Sequence, residues 1–177
     1  EIDYDDMIVG DKNAVMVAAR VLGYGPDYNF EYEGEEHTVN LGELENKPFD
    51  ESFITPGLNE FPYSLPHSKV DITYKLLTNK DEKNISRELE GLKRLNKDSS
   101  AELSTRLKFM ITSVDGDRDI STIREFVDKR LLARDSKTLR KHIKNSQPDV
   151  DLTFFPDSNS NGVNIPIGLS FFWPDLD

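Results

Sequence analysis

The sequence contains no cysteine, and it contains no long hydrophobic run. The first absence excludes disulfide frameworks, cysteine-ligated zinc sites and thiolate nucleophiles. The longest unbroken apolar run, residues 14–19, ends at Arg20 and is far shorter than the roughly 20 residues that cross a bilayer, so no membrane span is predicted. The sequence starts with Glu1 rather than methionine, as a chain with a missing N-terminal segment would.

Histidine is scarce, and the three histidines are far apart in sequence. His37, His67 and His142 lie in a predicted strand, a proline-rich loop and a basic helix. No local spacing places two imidazoles on one metal ion or beside a nucleophile. The patterns GxGxxG, GxxxxGK[ST] and GxSxG are also missing. The sequence therefore gives no support for a glycine-rich phosphate-binding loop or for the nucleophile elbow of a serine hydrolase. Structural or surface roles are therefore expected for all three histidines.

One acidic segment resembles the start of a calcium-binding loop. Asp115 and Asp117 stand two residues apart, with Asp119 next in the series. An EF-hand loop requires glycine at its sixth position and glutamate at its twelfth, where this chain has Ile120 and Phe126. A turn followed by a helix cap is the preferred interpretation. No enzyme activity, cofactor or metal ion is expected, and a metal-dependent hydrolase using Asp115 and Asp117 is kept as a disfavoured alternative.

Basic residues are nearly absent from both ends of the chain. Residues 1–60 contain 15 acidic and 3 basic residues, residues 61–147 contain 13 and 19, and residues 148–177 contain 5 and none. The net charge of −11 therefore hides a strong segregation of sign. Either the acidic and basic parts face each other within the fold, or each meets a complementary neighbour in an assembly.

The densest positive run extends from residue 129 to residue 144. Its members are Lys129, Arg130, Arg134, Lys137, Arg140, Lys141 and Lys144. The run lacks interleaved aromatic residues, so nucleic-acid binding is disfavoured relative to a solvated or protein-facing helix surface. Arg134, Arg140 and Lys141 are therefore candidates for contact with a protein partner.

Hydrophobic periodicity predicts several helices. Residues 14–22 are apolar on nearly every side, which predicts a buried core helix. Residues 79–96 form a charged amphipathic pattern that Thr78 or Asn79 can cap. Residues 100–147 predict three further helices, the first carrying Ile111 and Val114 on its apolar face and the others opening near Asp119 and Asp135. None of these helices is expected to be stable alone.

Alternating patterns predict strands on either side of the helical block. A hairpin is predicted from residues 28–32 and 37–41 with a turn at Glu33–Gly34, followed by strands at 60–65 and 70–78. Pro62 and Pro66 indicate that the first of these two strands is an edge or irregular strand. Residues 149–155 and 163–173 predict two more strands. The expected fold is α+β, with an N-terminal core helix, a β-rich segment, a four-helix central region and terminal β-strands that return to the sheet. A single domain spanning residues 1–177 is expected, with a possible division into 27–78 plus 148–177 and 79–147.

Two apolar segments are candidates for partner contact. The adjacent Phe171, Phe172 and Trp173 cannot all point to one face of a strand, so either both faces are covered within the chain or an aromatic side chain meets another chain. Residues 47–66 hold four prolines and form either a docking arm or a loop pressed onto its own domain. The aromatic candidates in this second segment are Phe49, Phe53, Phe61 and Tyr63.

Five sequence blocks in a fixed order carry a family resemblance. They are residues 8–25, 111–117, 133–136, 148–152 and 171–175, which read IVGDKNAVMVAARVLGYG, ITSVDGD, ARDS, PDVDL and FFWPD. This series resembles the baseplate hub family of T-even-type contractile-tailed bacteriophages, over nearly the whole chain. Some members of that family carry cysteine pairs in the loops that correspond to residues 33–36 and 156–162. This chain has no cysteine in either loop, so zinc stabilisation is not carried over.

The resemblance implies a structural role in a phage tail. It implies a virion protein of the tail baseplate, assembled in the host cytoplasm and bound to other baseplate or tail proteins. A transient assembly chaperone that is absent from the mature virion is the alternative within the same setting. The family is characterised by assembly and brings no catalytic residues onto these positions.

Overall fold

A computed structural model describes residues 3–49, 55, 57–95, 101–157 and 161–172. These residues form an α+β fold, as predicted. In chain order the elements are a 3₁₀ turn Tyr4–Asp6, α1 Val9–Tyr24, β1 Asp27–Tyr32, β2 Glu35–Asn40, a 3₁₀ turn Leu41–Glu43, β3 Phe61–Ser64, β4 Asp71–Tyr74, α2 Asn79–Leu95, α3 Ala101–Met110, β5 Ile111–Val114, α4 Ile120–Glu125, a π-helical turn Phe126–Arg130, α5 Ala133–Ser146, β6 Thr153–Phe154, β7 Val163–Asn164 and α6 Leu169–Phe172.

The chain divides into two compact units. Unit 1 consists of Glu1–Val9 and Pro48–Gln147, and unit 2 consists of Gly10–Lys47 and Pro148–Asp177. The division differs from the one considered on sequence grounds, because β3 and β4 form their sheet with β5 and therefore belong with the central helices.

Unit 1 is built on a three-stranded antiparallel sheet. The strand order is β3-β4-β5, with Phe61 opposite Tyr74 and Tyr74 opposite Ile111. Strand β3 contains Pro62 and lies at the edge, as predicted, since proline cannot donate a ladder hydrogen bond. The core on this sheet includes the buried side chains of Ile72, Tyr74, Leu107, Ile123, Phe126, Leu139 and Ile143.

The helix predicted to carry Ile111 and Val114 ends earlier than expected. Helix α3 stops at Met110, and the next four residues form β5, which pairs with β4. The prediction was wrong because a β-bulge between Thr73 and Tyr74 shifts the register of the pairing. Ile111 and Val114, three residues apart as on one face of a helix, thereby lie opposite Tyr74 and Ile72. Pairing with an existing strand decides the outcome, and Asp115 and Gly116 then turn the chain with positive φ of 49° and 83°.

The remaining helices of unit 1 follow the prediction with shifted ends. The Thr78 hydroxyl accepts the Asp81 backbone N–H at 3.3 Å, so Thr78 caps α2. Asp119 accepts the backbone N–H groups of Ser121 and Thr122 and caps α4. Helix α4 then widens into the π-helical turn, and α5 begins at Ala133 rather than at Asp135.

Unit 2 contains the predicted hairpin. Strands β1 and β2 pair antiparallel, with Phe30 opposite His37. Glu33 and Gly34 have φ of 54° and 83°, the left-handed pair that a two-residue hairpin turn requires. The small hydrophobic core of unit 2 consists of Val17, Tyr28, Phe30, Leu41, Ile165 and Phe171.

Helix α1 forms as predicted, but it is not a core helix. Gly10, Val17 and Arg20 are its buried residues, whereas Ala14, Val15, Ala18, Ala19 and Leu22 are exposed. The expectation of burial on all sides was wrong because a two-stranded hairpin and short terminal segments cover one side of a helix. Arg20 is buried where its guanidinium donates to the backbone carbonyls of Gly25 and Asp27.

The terminal strands do not return to an earlier sheet. Strands β6 and β7 are two residues each and pair only with one another among the described residues, and residues 169–172 form the short helix α6. The prediction of a long strand was wrong because Pro166 and Gly168 interrupt the apolar run. The Pro166 carbonyl instead accepts a hydrogen bond from the Tyr28 hydroxyl at 3.0 Å.

Candidate partner-binding surfaces

Helix α5 of unit 1 presents a continuous basic surface. We call this surface the basic face, and its residues are Arg134, Lys137, Arg140, Lys141 and Lys144, all exposed. Their spacing of three or four residues places them on one side of a helix with 3.6 residues per turn. The opposite side carries Leu139 and Ile143, which are buried in the core. The same amphipathic pattern therefore anchors the helix and displays the cations.

A buried carboxylate fixes the N-terminal end of α5. Asp135 is the only acidic residue of the helix, is fully buried and forms no ion pair with a cation of the basic face. Its two oxygens accept the backbone N–H groups of His67 and Ser68, each at 2.9 Å. Burial acts to raise the pKa of Asp135, but these hydrogen bonds outweigh it, and the pKa lies below its usual value. The ionised carboxylate thereby ties the loop after β3 to α5.

Aromatic contacts hold the middle of α5. The Tyr74 hydroxyl and His142 Nε2 are 3.0 Å apart, and the Tyr63 ring stacks on His142 with a centroid distance of 4.4 Å. Burial lowers the pKa of His142 and raises that of Tyr74, so both groups are neutral at pH 7. These contacts fix the position of α5, whose outer side carries the cations.

The cations of the basic face differ from three cations elsewhere in unit 1 that form ion pairs. Arg106 pairs with Glu82, Lys108 with Asp128, and Arg124 with Glu88, all within 3.0 Å. Across the described part of the chain, no carboxylate lies within 4.0 Å of any basic-face cation. The positive charge of this face is therefore available to an anionic surface outside the chain.

The structure places the sequence-predicted contact residues in different settings. Arg134, Arg140 and Lys141 come together on the basic face. Tyr63 and Phe49 are half-buried, and the Tyr63 ring stacks on the His142 ring. Phe61 is buried in the core of unit 1, so its candidacy is corrected: the ring packs against Tyr74.

The terminal aromatic candidates belong to unit 2. Phe171 is fully buried against Tyr28, at a centroid distance of 4.9 Å, so it too is corrected from a contact candidate to a core residue. Phe172 is half-buried and packs on Phe171 at 5.1 Å. Phe53 and Trp173 lie outside the described residues, and their candidacy stays a prediction.

Unit 2 has the opposite electrostatic character. It contains 13 acidic and 3 basic residues. Of the bases, Arg20 is buried and Lys47 pairs with Asp149 at 2.8 Å, which leaves Lys12. The hairpin alone exposes several carboxylates, namely Asp27, Glu31, Glu33, Glu35 and Glu36. The two units thus carry charges suited to different partners.

Sequence reasoning missed an apolar groove on unit 2. The groove has a volume of about 420 Å³ and lies between α1, through Ala14, Ala18 and Leu22, and the segment after β2, through Leu41 and Leu44. Leu22 is 88% exposed. The sequence shows that residues 14–22 of α1 are mostly apolar, but that pattern predicted burial rather than an exposed surface. The groove itself depends on a distant part of the chain, since Val150 completes its lining.

Carboxylates considered for metal binding have structural partners instead. The Asp115 carboxylate accepts the backbone N–H of Asp71 at 3.1 Å. The Asp117 carboxylate accepts the backbone N–H of Asp119 and the hydroxyl of Thr122. In residues 3–49, 55, 57–95, 101–157 and 161–172, no group of three or more His, Cys, Asp or Glu side chains is arranged to hold a metal ion. A turn plus helix cap is what this segment forms.

Among the described residues, no helix combines the length and apolar character needed to cross a bilayer. No family model matches the chain, and no curated protein or solved structure matches it either.

Proposed function

We propose that the protein is a non-enzymatic structural subunit of a contractile-tail baseplate hub of a bacteriophage and acts through protein–protein contacts. The observation that carries the proposal is the basic face of α5, five exposed cations that have no carboxylate partner among the described residues and lie on a helix held by buried contacts. Its placement in a phage tail rests on the sequence resemblance and on no other finding.

Residues of three resembling blocks make structural contacts. Gly10, in the first block, lies so close to Pro148, in the fourth, that an added Cβ would be 1.8 Å from the Pro148 carbonyl oxygen. Asn13 also donates to Asp149 at 3.1 Å. Asp135, in the third block, makes the buried contacts to His67 and Ser68. Several residues of the blocks therefore hold the fold.

The basic face fits an acidic protein surface better than nucleic acid. Binding of single strands relies on aromatic rings that stack on bases, and the nearby rings of Tyr63 and His142 stack on each other instead. Facing cations and carboxylates at the rim of a protein interface would orient the partner and accelerate association.

Virion composition and infectivity test the proposal. In the phage that encodes the chain, the wild-type gene is replaced by Arg134→Glu/Lys141→Glu. The matched control is Arg87→Glu/Arg94→Glu on α2, which has the same seven-residue spacing, exposed side chains and charge change. We expect the α5 variant to be lost from purified virions with about a 100-fold or greater fall in titre, because the reversed charges would repel an acidic partner surface. The control should assemble normally.

Other outcomes would contradict the proposal in identifiable ways. Absence of the wild-type protein from virions, judged by quantitative mass spectrometry, would favour the assembly chaperone over the structural subunit. Equal incorporation of both charge-reversal variants would show that the basic face is not used. Circular dichroism and melting of each purified variant would establish that the comparison is between folded proteins.

A further inference from the structure

We infer that the apolar groove of unit 2 binds an amphipathic segment of a partner protein that carries Lys or Arg beside its apolar side chains. The inference rests on the proposed function in one respect, that the partner is a protein. It concerns a surface different from the basic face, and the groove would add a specific apolar contact to the electrostatic one.

The α1 side of the groove is shaped for another polypeptide. Ala14, Ala18 and Leu22 follow one another at four-residue intervals and therefore form one ridge along the exposed side of the helix. The two alanines leave room for side chains of an incoming segment, and Leu22 projects beside them with 88% of its surface exposed. A helix that lays its apolar side chains into such a groove is a common mode of peptide recognition.

The chemistry of the lining favours apolar side chains over a small polar ligand. Every lining residue in the described part of the chain is uncharged, and Asn46 supplies the only polar side chain among them. Small-molecule sites usually combine an apolar wall with several convergent polar groups that fix the orientation of the ligand. With one amide available, recognition in this groove has to come from burial of apolar surface.

Charge around the groove selects a basic partner. The exposed Glu43 and Glu45 flank the lining residue Leu44 in sequence, and neither has a cation within 4.0 Å among the described residues. Lys or Arg side chains next to the apolar anchors would face these carboxylates.

A second copy of the chain is a poorer occupant of the groove. A symmetric contact between two grooves would bring four like charges together. The basic face of another copy does not solve this, because the exposed positions of α5 offer Ala133 as their only apolar side chain. The occupant we infer is therefore a different protein with a basic amphipathic segment.

The test is a binding titration with a fluorescein-labelled amphipathic peptide built only of Leu and Lys, followed by anisotropy. The groove variant is Ala18→Lys, and its matched control is Ala19→Lys, an exposed neighbour on the same helix that does not line the groove. Both add the same repulsive charge. We expect Ala18→Lys to weaken binding about tenfold and Ala19→Lys to weaken it by less than about twofold.

A second pair of variants tests the charges. We expect Glu43→Gln/Glu45→Gln to weaken binding severalfold and to reduce its dependence on salt, whereas Glu35→Gln/Glu36→Gln on β2, with the same change in net charge, leaves both almost unchanged. A peptide of Leu and Glu should not bind. Equal effects of the two lysine variants, or equal binding of the two peptides, would overturn the inference.

The remaining outcomes are also decisive. A dimer in sedimentation that Ala18→Lys dissociates would show that a second copy fills the groove, contrary to the inference. Peptide binding by a protein that is absent from virions would remove the tail proposal and leave the groove intact. Normal incorporation into virions with no peptide binding would remove the groove inference and leave the tail proposal intact.

Discussion

The carboxylate of Glu60 is shared by one arginine and two threonines. Its two oxygens each accept one N–H of Arg118 at 2.9 Å, and the Thr112 and Thr73 hydroxyls lie at 2.6 and 3.2 Å from Oε1. The Arg118 hydrogen bond is the largest cause of a pKa shift in Glu60, from the ordinary 4.5 to about 2. The folded protein thus holds Glu60 ionised far more firmly than the unfolded chain does.

This difference predicts a pH-dependent contribution to stability. The unfolded chain takes up the proton near pH 4.5 and the folded protein near pH 2, so the stabilisation from Glu60 is present above the first value and lost as the pH falls to the second. We predict that Glu60→Gln lowers the free energy of unfolding by about 1 kcal/mol at neutral pH, after allowance for a side chain that is one-third exposed. The difference from wild type should shrink towards pH 2 in urea titrations at fixed ionic strength.

The Arg118→Gln background provides the control for Glu60. It removes the main partner of the carboxylate while leaving Thr112 and Thr73 in place. Glu60→Gln should then have a smaller and less pH-dependent effect. A difference between wild type and Glu60→Gln that stays constant over the whole pH range would show that the network does not shift the proton affinity as described.

Two glycines of α1 make opposite predictions for the same substitution. A Cβ on Gly10 would lie 1.8 Å from the Pro148 carbonyl oxygen and 3.1 Å from the Asp149 Cα, whereas a Cβ on Gly23 would meet no atom within 4 Å. We predict that Gly10→Ala destabilises the protein by about 1–3 kcal/mol, because backbone has to move apart. Gly23→Ala should be neutral or stabilising by up to about 1 kcal/mol, because alanine restricts the unfolded chain.

Urea denaturation of the two alanine variants checks this pair. Both variants add one methyl group to the same helix, so helix propensity alone predicts similar gains for both. Opposite signs would show that the close approach of α1 to residue 148 holds unit 2 together. Equal changes in the free energy of unfolding would mean that the contact at Gly10 relaxes without cost.

Elements defined by local chemistry could be predicted from the sequence. The β1–β2 hairpin follows from alternation and a Glu-Gly turn, α2 from its amphipathic pattern and the Thr78 cap, and the edge position of β3 from Pro62. The basic face also follows from spacing within one helix. These features need no information about distant residues, which is why single-sequence reasoning reaches them.

Elements decided by tertiary pairing were missed. Residues 111–114 satisfy a helical period but pair with β4, and residues 163–173 read as one strand but break at Pro166 and Gly168. The burial of Asp135 depends on the loop at His67 and Ser68, which is far away in sequence. The groove needs Val150 to lie near α1. No local pattern carries such long-range information, and tertiary context overrides propensity in each case.

At the scale of the molecule, the chain is two differently charged units with separate hydrophobic cores. The core of unit 1 contains Leu139, the core of unit 2 contains Phe171, and no residue is common to both. Unit 2 accounts for nearly all of the net negative charge, since its 13 acidic and 3 basic residues are set against a total of −11. The structure therefore offers an acidic body with an apolar groove and a nearly neutral body with a basic helix.

Separate cores predict separate responses to truncation of their central side chains. Both Phe171 and Leu139 are fully buried, and alanine at either site should cost about 3–5 kcal/mol through lost burial and a cavity. We predict that Phe171→Ala accelerates amide hydrogen exchange in β1 and β2 while β4 and β5 stay protected, and that Leu139→Ala does the opposite. Leu22→Ala, at an 88% exposed position, should change neither pattern. Acceleration of all four strands by each core variant would show instead that the two cores unfold as one cooperative unit, because loss of either would then expose the amides of both.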